Sequence, residues 1–153
     1  MALNIVLLEP EIPNNTGNIG RLSLASGSTL HLIKPLGFNI DDARVKRSGL
    51  DYWKNVDLQV HESWELFLSK YPKAEFAFMS SHGENDFYSI DFKEDMFLVF
   101  GKESVGLPKE LIANNKDKTF KIPLYSPHIR SLNLANSVGI VVYEGLRQLQ
   151  NAE

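Results

Sequence analysis

The sequence predicts an α/β fold, a mostly parallel sheet with helices on both faces. Three observations lead there. Short apolar runs rich in β-branched and aromatic residues recur: NIVLLE (4–9), TLHLIK (29–34), DLQVH (57–61), AEFAFMS (74–80), MFLVFG (96–101) and TFKIP (119–123). Helix-like segments alternate with them. The runs are almost continuously apolar, as expected of strands buried on both faces.

The elements follow in order. Behind the first strand, PEIPNNTGNIGR (10–21) leads into a predicted helix over 16–26, with Asn14, Asn15 or Thr16 as its cap and Gly27 as its stop. DDARVKRSGL (41–50) reads as a short basic helix, and SWELFLSKY (63–71) as an amphipathic helix ended by Pro72. PKELIAN (108–114) reads as a short helix and SLNLANSVGIVVYEGLRQLQ (131–150) as a long final one. No repeat, low-complexity tract or linker interrupts the pattern, so one domain over 1–153 is expected.

Composition narrows the function. The 153 residues are 43% hydrophobic and 23% charged, ordinary values for a soluble globular protein. The absence of cysteine excludes disulfides, thiolate metal sites and a cysteine nucleophile, and fits a reducing, cytoplasmic setting. The N-terminus lacks a signal peptide's basic and small-residue features, and no apolar run reaches membrane-spanning length. His31, His61, His82 and His128 have no metal-ligand spacing and read as surface or strand residues, so no metal is expected. The net charge of -3 means that a polyanion partner must be met by a local patch.

In a parallel sheet, ligands collect at the loops leaving the carboxyl ends of the strands. Three unusual loops, 9–21, 101–108 and 123–131, follow strands here and suggest one composite site. None matches a phosphate loop, a dinucleotide fingerprint or a nucleophile elbow. The first loop opens a helix whose free amides suit an anion, with Arg21 one turn inside as a planar fork of donors; a capped helix with a surface arginine is the plainer reading. In the second, Gly101, Glu103 and Gly106 permit a tight turn and close approach to a flat ligand. In the third, Arg130, Ser131, Asn133 and Asn136 surround the start of the last helix. Ser131 fits an N-cap, whereas Asn133 in the first turn is a poor helix former that a polar ligand would explain.

Two further features stand out. Ala135, Gly139 and Val142 form a small-residue stripe on the last helix, and Gly139 and Gly145 each cost about 1 kcal/mol against alanine. Close packing against another helix, in the same chain or a second subunit, would justify them. Arg44, Lys46, Arg47 and Lys54 are interleaved with Tyr52 and Trp53. That is either an RNA-contacting surface or a solvated segment whose aromatics belong to the core.

As a set, PEIPNNTGNIGR, FLVFGKESVGLP and IPLYSPHIRSLNLANSVGIVVYEGLRQ resemble the three motifs of the SpoU-type branch of the SPOUT methyltransferases. KRSGLDYWKNVDLQVHESWELF also resembles the TrmL subgroup, which modifies the wobble nucleotide of certain tRNAs. The resemblance covers essentially the whole chain. It implies an α/β domain with a C-terminal trefoil knot, bound S-adenosyl-L-methionine, and a homodimer built on the final helix. It implies ribose 2′-hydroxyl methylation in tRNA, in the anticodon region. By position, Gly101, Ile122 and Ser131 match cofactor contacts; Met79 and Leu132 adjoin them, and Gly106 belongs to the same glycine turns. Arg21 matches the catalytic arginine, with Asn14, Glu103 and Asn133 as polar companions. Arg44, Lys46, Arg47, Lys54 and Arg130 are the expected RNA contacts. A guanidinium stays protonated in proteins, so Arg21 is expected to grip a phosphate and stabilise alkoxide charge while Glu103 or solvent takes the proton. Two departures stand out: Ala135 replaces a common serine, and YSPHI (125–129) is longer and bulkier than usual.

Overall fold

The computed structural model describes residues 2–48 and 50–152. Seven strands form one parallel sheet in the order β3-β2-β1-β6-β4-β7-β5. In chain order the strands are β1 (Asn4–Leu8), β2 (Thr29–Ile33), β3 (Leu58–His61), β4 (Phe76–Met79), β5 (Asn85–Asp86), β6 (Phe97–Phe100) and β7 (Thr119–Lys121). The helices are α1 (Pro13–Ala25), α2 (Ala43–Ser48), α3 (Trp64–Lys70), α4 (Lys109–Ala113) and α5 (Leu134–Asn151), with a 3-10 helix at Leu50–Asn55. The two-residue β5 lay below what apolar patterning detects.

Alternate residues of the central strands enter two cores. Ile5, Leu7, Leu30, Leu32, Leu98 and Phe100 pack with Ile19 of α1 and Val138, Val141 and Val142 of α5. Val6, Leu8, Phe78, Phe97 and Val99 pack with Phe67 of α3 on the other face. This burial on both sides is why the strands read as continuous apolar runs. The strand order reverses direction at β1. β2 flanks one edge of β1 and β6 the other, with Leu7 opposite both Leu32 and Phe100. The loops after β1 and β6 therefore face each other across a topological switch point.

Two histidines expected to be ordinary are instead a buried pair. His31 Nδ1 lies 3.0 Å from His61 Nε2, and His31 Nε2 lies 2.9 Å from Asn4 Oδ1. Asn4 Nδ2 donates to the Asp95 carbonyl at 3.0 Å, so Asn4 Oδ1 must accept. His31 therefore donates through Nε2 and accepts through Nδ1 from His61. Phe67, Tyr71 and Phe97 surround its ring. Burial, then the charge of His61, lowers the His31 pKa to about 4, and burial lowers that of His61 as well. The unfolded chain binds a proton near pH 6.5 that folded His31 resists, so stability is full above 6.5 and declines towards pH 4. That gap is worth about 3 kcal/mol for His31. Urea unfolding at several pH values should show the decline, and His31→Gln should flatten it.

Candidate active site

The site begins where β1 ends. Glu9 adopts a positive φ of 55° and turns the chain across the end of β6. Pro13 opens α1 at a position that suits its missing N–H. The helix thus starts three residues before the predicted 16, and Arg21 lies about two turns inside rather than one. Asn14, Asn15 and Thr16 are inside the first turn and do not cap it. The N-cap residue is Ile12, which has no side chain to offer.

The missing cap comes from the second loop. Glu103 accepts from the Glu11 amide at 2.8 Å through Oε1 and from the Ile12 amide at 2.9 Å through Oε2. Oε2 also accepts from Asn15 Nδ2 at 3.2 Å. A carboxylate there also complements the positive end of the helix dipole. Two cross-links reinforce the join: Glu11 Oε1 accepts from the Ser104 amide at 2.8 Å, and Lys102 Nζ reaches Glu9 Oε1 at 3.3 Å. Hydrogen bonding from Ser104, hydroxyl first and then backbone, holds the Glu11 carboxyl below its usual range. Every donor at Glu103 is an N–H, so an amide nitrogen placed there would confront a donor. Glu103→Gln is therefore expected to cost about 2 kcal/mol, close to Glu103→Ala, since losing a hydrogen bond to a charged group costs about that much. Denaturant unfolding checks this; an unchanged midpoint in Glu103→Gln would refute the capping role.

The third loop joins through Asn15. Asn133 Nδ2 donates to Asn15 Oδ1 at 3.1 Å, while Asn133 Oδ1 accepts from the Asn136 amide at 3.2 Å. Asn133 is thus the N-cap of α5, which explains an asparagine at this point; Ser131, the expected cap, is exposed. Glu103, Asn15 and Asn133 form one polar chain that sews the three loops together. Asn14, singled out from sequence, is exposed, whereas Asn15 is 8% exposed. The buried stripe Asn15, Thr16, Ile19, Gly20 and Ser23 has helical spacing and would have marked Asn15 had the helix been started at Pro13.

Three of the expected cofactor residues, Met79, Gly101 and Ile122, lie at neighbouring strand ends. Met79 is opposite Phe100 on one side and Phe120 on the other, so Gly101 and Ile122 leave the sheet beside it. The two glycines differ. A Cβ on Gly101 would lie 2.1 Å from the Gly106 carbonyl carbon and 2.2 Å from the Leu107 nitrogen, so the turn itself requires glycine. Gly106 has a φ of +72° and nothing within 4 Å of a Cβ, which leaves room for a flat ligand at its backbone. Leu132 lies instead with Asn15, Asn18, Leu22, Asn133, Ala135, Gly139 and Ile140 in an open groove of about 630 Å³ between α1 and α5. The small-residue stripe divides. Val142 is in the core, and Gly145 is held by Phe92 and Leu3, whereas a Cβ on Gly139 would meet only Leu22 at 3.7 Å.

Arg21 is exposed, with its guanidinium carbon 5.4 Å from the centroid of the Tyr52 ring. Of the basic segment, Arg44 is tied to Asp42 at 2.9 Å, and its hydrogen bonds hold the Asp42 carboxyl below its usual range. Lys46, Arg47, Lys54 and Arg130 are exposed. Trp53 is half-buried: it packs against the α1–α5 core and over Gly20. Among the described residues no group of three or more His, Asp or Glu side chains is placed to hold a metal, and no helix is long and apolar enough to cross a membrane.

A model of the SpoU rRNA Methylase family matches residues 2–143. The chain belongs to that family. A tRNA (cytidine(34)-2′-O)-methyltransferase from Saccharophagus degradans is 42% identical to this SpoU-family chain over 147 residues, 95% of each protein. A Bacillus subtilis protein provisionally named for the same activity is 50% identical over 151 residues, 97% of this chain and 94% of its own. A solved structure from work on 2-OH methylation of C/U34 on tRNA matches with TM-score 0.94 and 47% identity, over 98% of this chain and 97% of that one.

Proposed function

We propose that the chain methylates a ribose 2′-hydroxyl of tRNA at the wobble nucleotide, cytidine 34 or a modified uridine 34, with S-adenosyl-L-methionine as donor. The observation that carries this is the Glu103–Asn15–Asn133 chain, which ties the loop leading to Arg21 to the loops carrying Glu103 and Asn133. A relative named for cytidine-34 methylation, 42% identical over 95% of this chain, supports the nucleotide.

S-adenosylmethionine supplies a methyl group on sulfonium. Met79, Ile122 and the open backbone at Gly106 would hold its flat adenine, with Gly101 and Ser131 on the same loops and Leu132 at the neighbouring groove. Arg21 grips a substrate phosphate and stabilises charge developing on the attacking oxygen. Glu103 spends its oxygens on the Glu11 and Ile12 amides ahead of α1 and on Asn15. Proton removal therefore falls to solvent or to the substrate rather than to Glu103. Reacting atoms must come within about 3–3.5 Å. A second copy of the chain, seated on the groove at Leu22, Gly139 and Ile140, brings another Arg21 towards the cofactor loops. The dimer, the trefoil threading of 122–133, the single-domain organisation, a cytoplasmic setting, and tRNA phosphates at Lys46, Arg47, Lys54 and Arg130 belong to the same reading.

The test is incubation of purified protein with labelled S-adenosylmethionine and either bulk tRNA or rRNA, followed by nuclease digestion and mass spectrometry. Label at a 2′-O-methylated nucleotide 34 is expected. Label only in rRNA would overturn the substrate, and no label would overturn the activity.

A further inference from the structure

Arg21 needs to be held, and nothing in its own helix holds it. It projects from an exposed position two turns into α1, with a side chain whose ordering costs up to about 2 kcal/mol. An acidic partner would order it, but would consume its donors and cancel its charge. The structure provides a partner that does neither. The guanidinium carbon lies over the Tyr52 ring at 5.4 Å, within the range of a cation–π contact. That contact uses the face of an aromatic ring, so the five N–H donors remain free for a phosphate or a developing oxyanion.

The placement of Tyr52 is built. Its neighbour Trp53 lies so close to Gly20 that a Cβ there would fall 2.5 Å from the indole. Gly20 directly precedes Arg21, as Tyr52 directly precedes Trp53. The contact at Gly20 therefore sets the height of the 3-10 helix Leu50–Asn55 on α1, and with it the position of the Tyr52 ring over Arg21. Tyr52 itself is 46% exposed, so the ring is a platform at the surface, not part of the core.

We propose that Tyr52 is a positioning residue for the methyl transfer: its ring holds the Arg21 guanidinium in place with every donor available to the RNA. The Leu50–Asn55 segment, which carries Tyr52 and Trp53, thereby acts on the reaction through Arg21. The inference rests on Arg21 being the substrate-side catalytic group.

The experiment compares wild type, Tyr52→Leu, Tyr52→Phe and Arg21→Lys in methyl transfer to tRNA. Cofactor affinity and thermal unfolding are measured on each. Tyr52→Leu is expected to lower kcat about fivefold, the effect of losing a largely exposed cation–π contact, with KM and cofactor affinity within about twofold. Tyr52→Phe, which keeps the ring, restores the rate. A proton NMR signature accompanies this. The Arg21 Nε–H resonance, shifted upfield by the ring in wild type and Tyr52→Phe, returns to the position of a free arginine in Tyr52→Leu. If Arg21→Lys turns over like wild type, the reading of Arg21 itself fails. If Arg21→Lys is crippled while Tyr52→Leu keeps its kcat, or loses activity only through KM, cofactor binding or unfolding, the positioning role alone is overturned.

Discussion

Arg21→Lys is expected to lose most turnover, about 10²–10³-fold in kcat, the size of effect seen when one preorganised donor to a developing oxyanion is removed. Lysine keeps the charge but replaces a planar fork with a single mobile ammonium, which cannot span two oxygens of a phosphate. Cofactor affinity should stay unchanged, because Arg21 lies on α1 while the expected cofactor residues follow β4, β6 and β7. Single-turnover methyl transfer with saturating cofactor, together with calorimetric titration of S-adenosylmethionine, separates the two effects. A wild-type single-turnover rate would remove Arg21 from the mechanism.

The second large effect is at Gly101. Gly101→Ala places a carbon 2.1 Å from a backbone carbon and 2.2 Å from a backbone nitrogen. Neither can move without opening the turn from Gly101 to Leu107, which Gly106 closes by donating to the Lys102 carbonyl at 2.8 Å. A loss of about 4 kcal/mol or more is expected, among the larger effects of any single substitution. Gly106→Ala is the control. Its Cβ meets nothing within 4 Å, so only the left-handed backbone conformation is penalised, by about 1–2 kcal/mol. Yet the added methyl enters the open space proposed for the adenine. Gly106→Ala should therefore weaken cofactor binding while remaining folded, whereas Gly101→Ala should fail in denaturant unfolding first. Equal stabilities for the two variants would contradict the turn geometry.

The central strands were legible because they are buried on both faces, which leaves an unbroken apolar run; NIVLLE and MFLVFG correspond to β1 and β6 within a residue or two. The start of α3 was legible because its cap is local: Ser63, the first residue of the predicted helix, accepts from the Leu66 amide. The start of α1 was misplaced because its cap is a side chain from another loop, and no window of sequence contains both. The same non-locality hid Asn15, whose partners Glu103 and Asn133 lie 88 and 118 positions away. Tyr52 and Trp53 read as one aromatic pair, but adjacent residues point in different directions, and only the fold assigns one to the core and one to Arg21. The histidines carried no signal of pairing, since neighbouring parallel strands place residues 30 apart in contact.

The remote cap on α1 has a consequence for the chain during its synthesis. β2 follows β1 closely and can cover one of its edges early. The other edge belongs to β6, and the Ile12 amide waits for a carboxylate 91 positions later. At elongation rates of ~5–20 residues per second, that interval lasts roughly 5–20 s. Throughout it, the nascent chain displays a strand edge of unpaired N–H and C=O groups between mostly apolar side chains, the kind that recruits neighbouring chains on the same message.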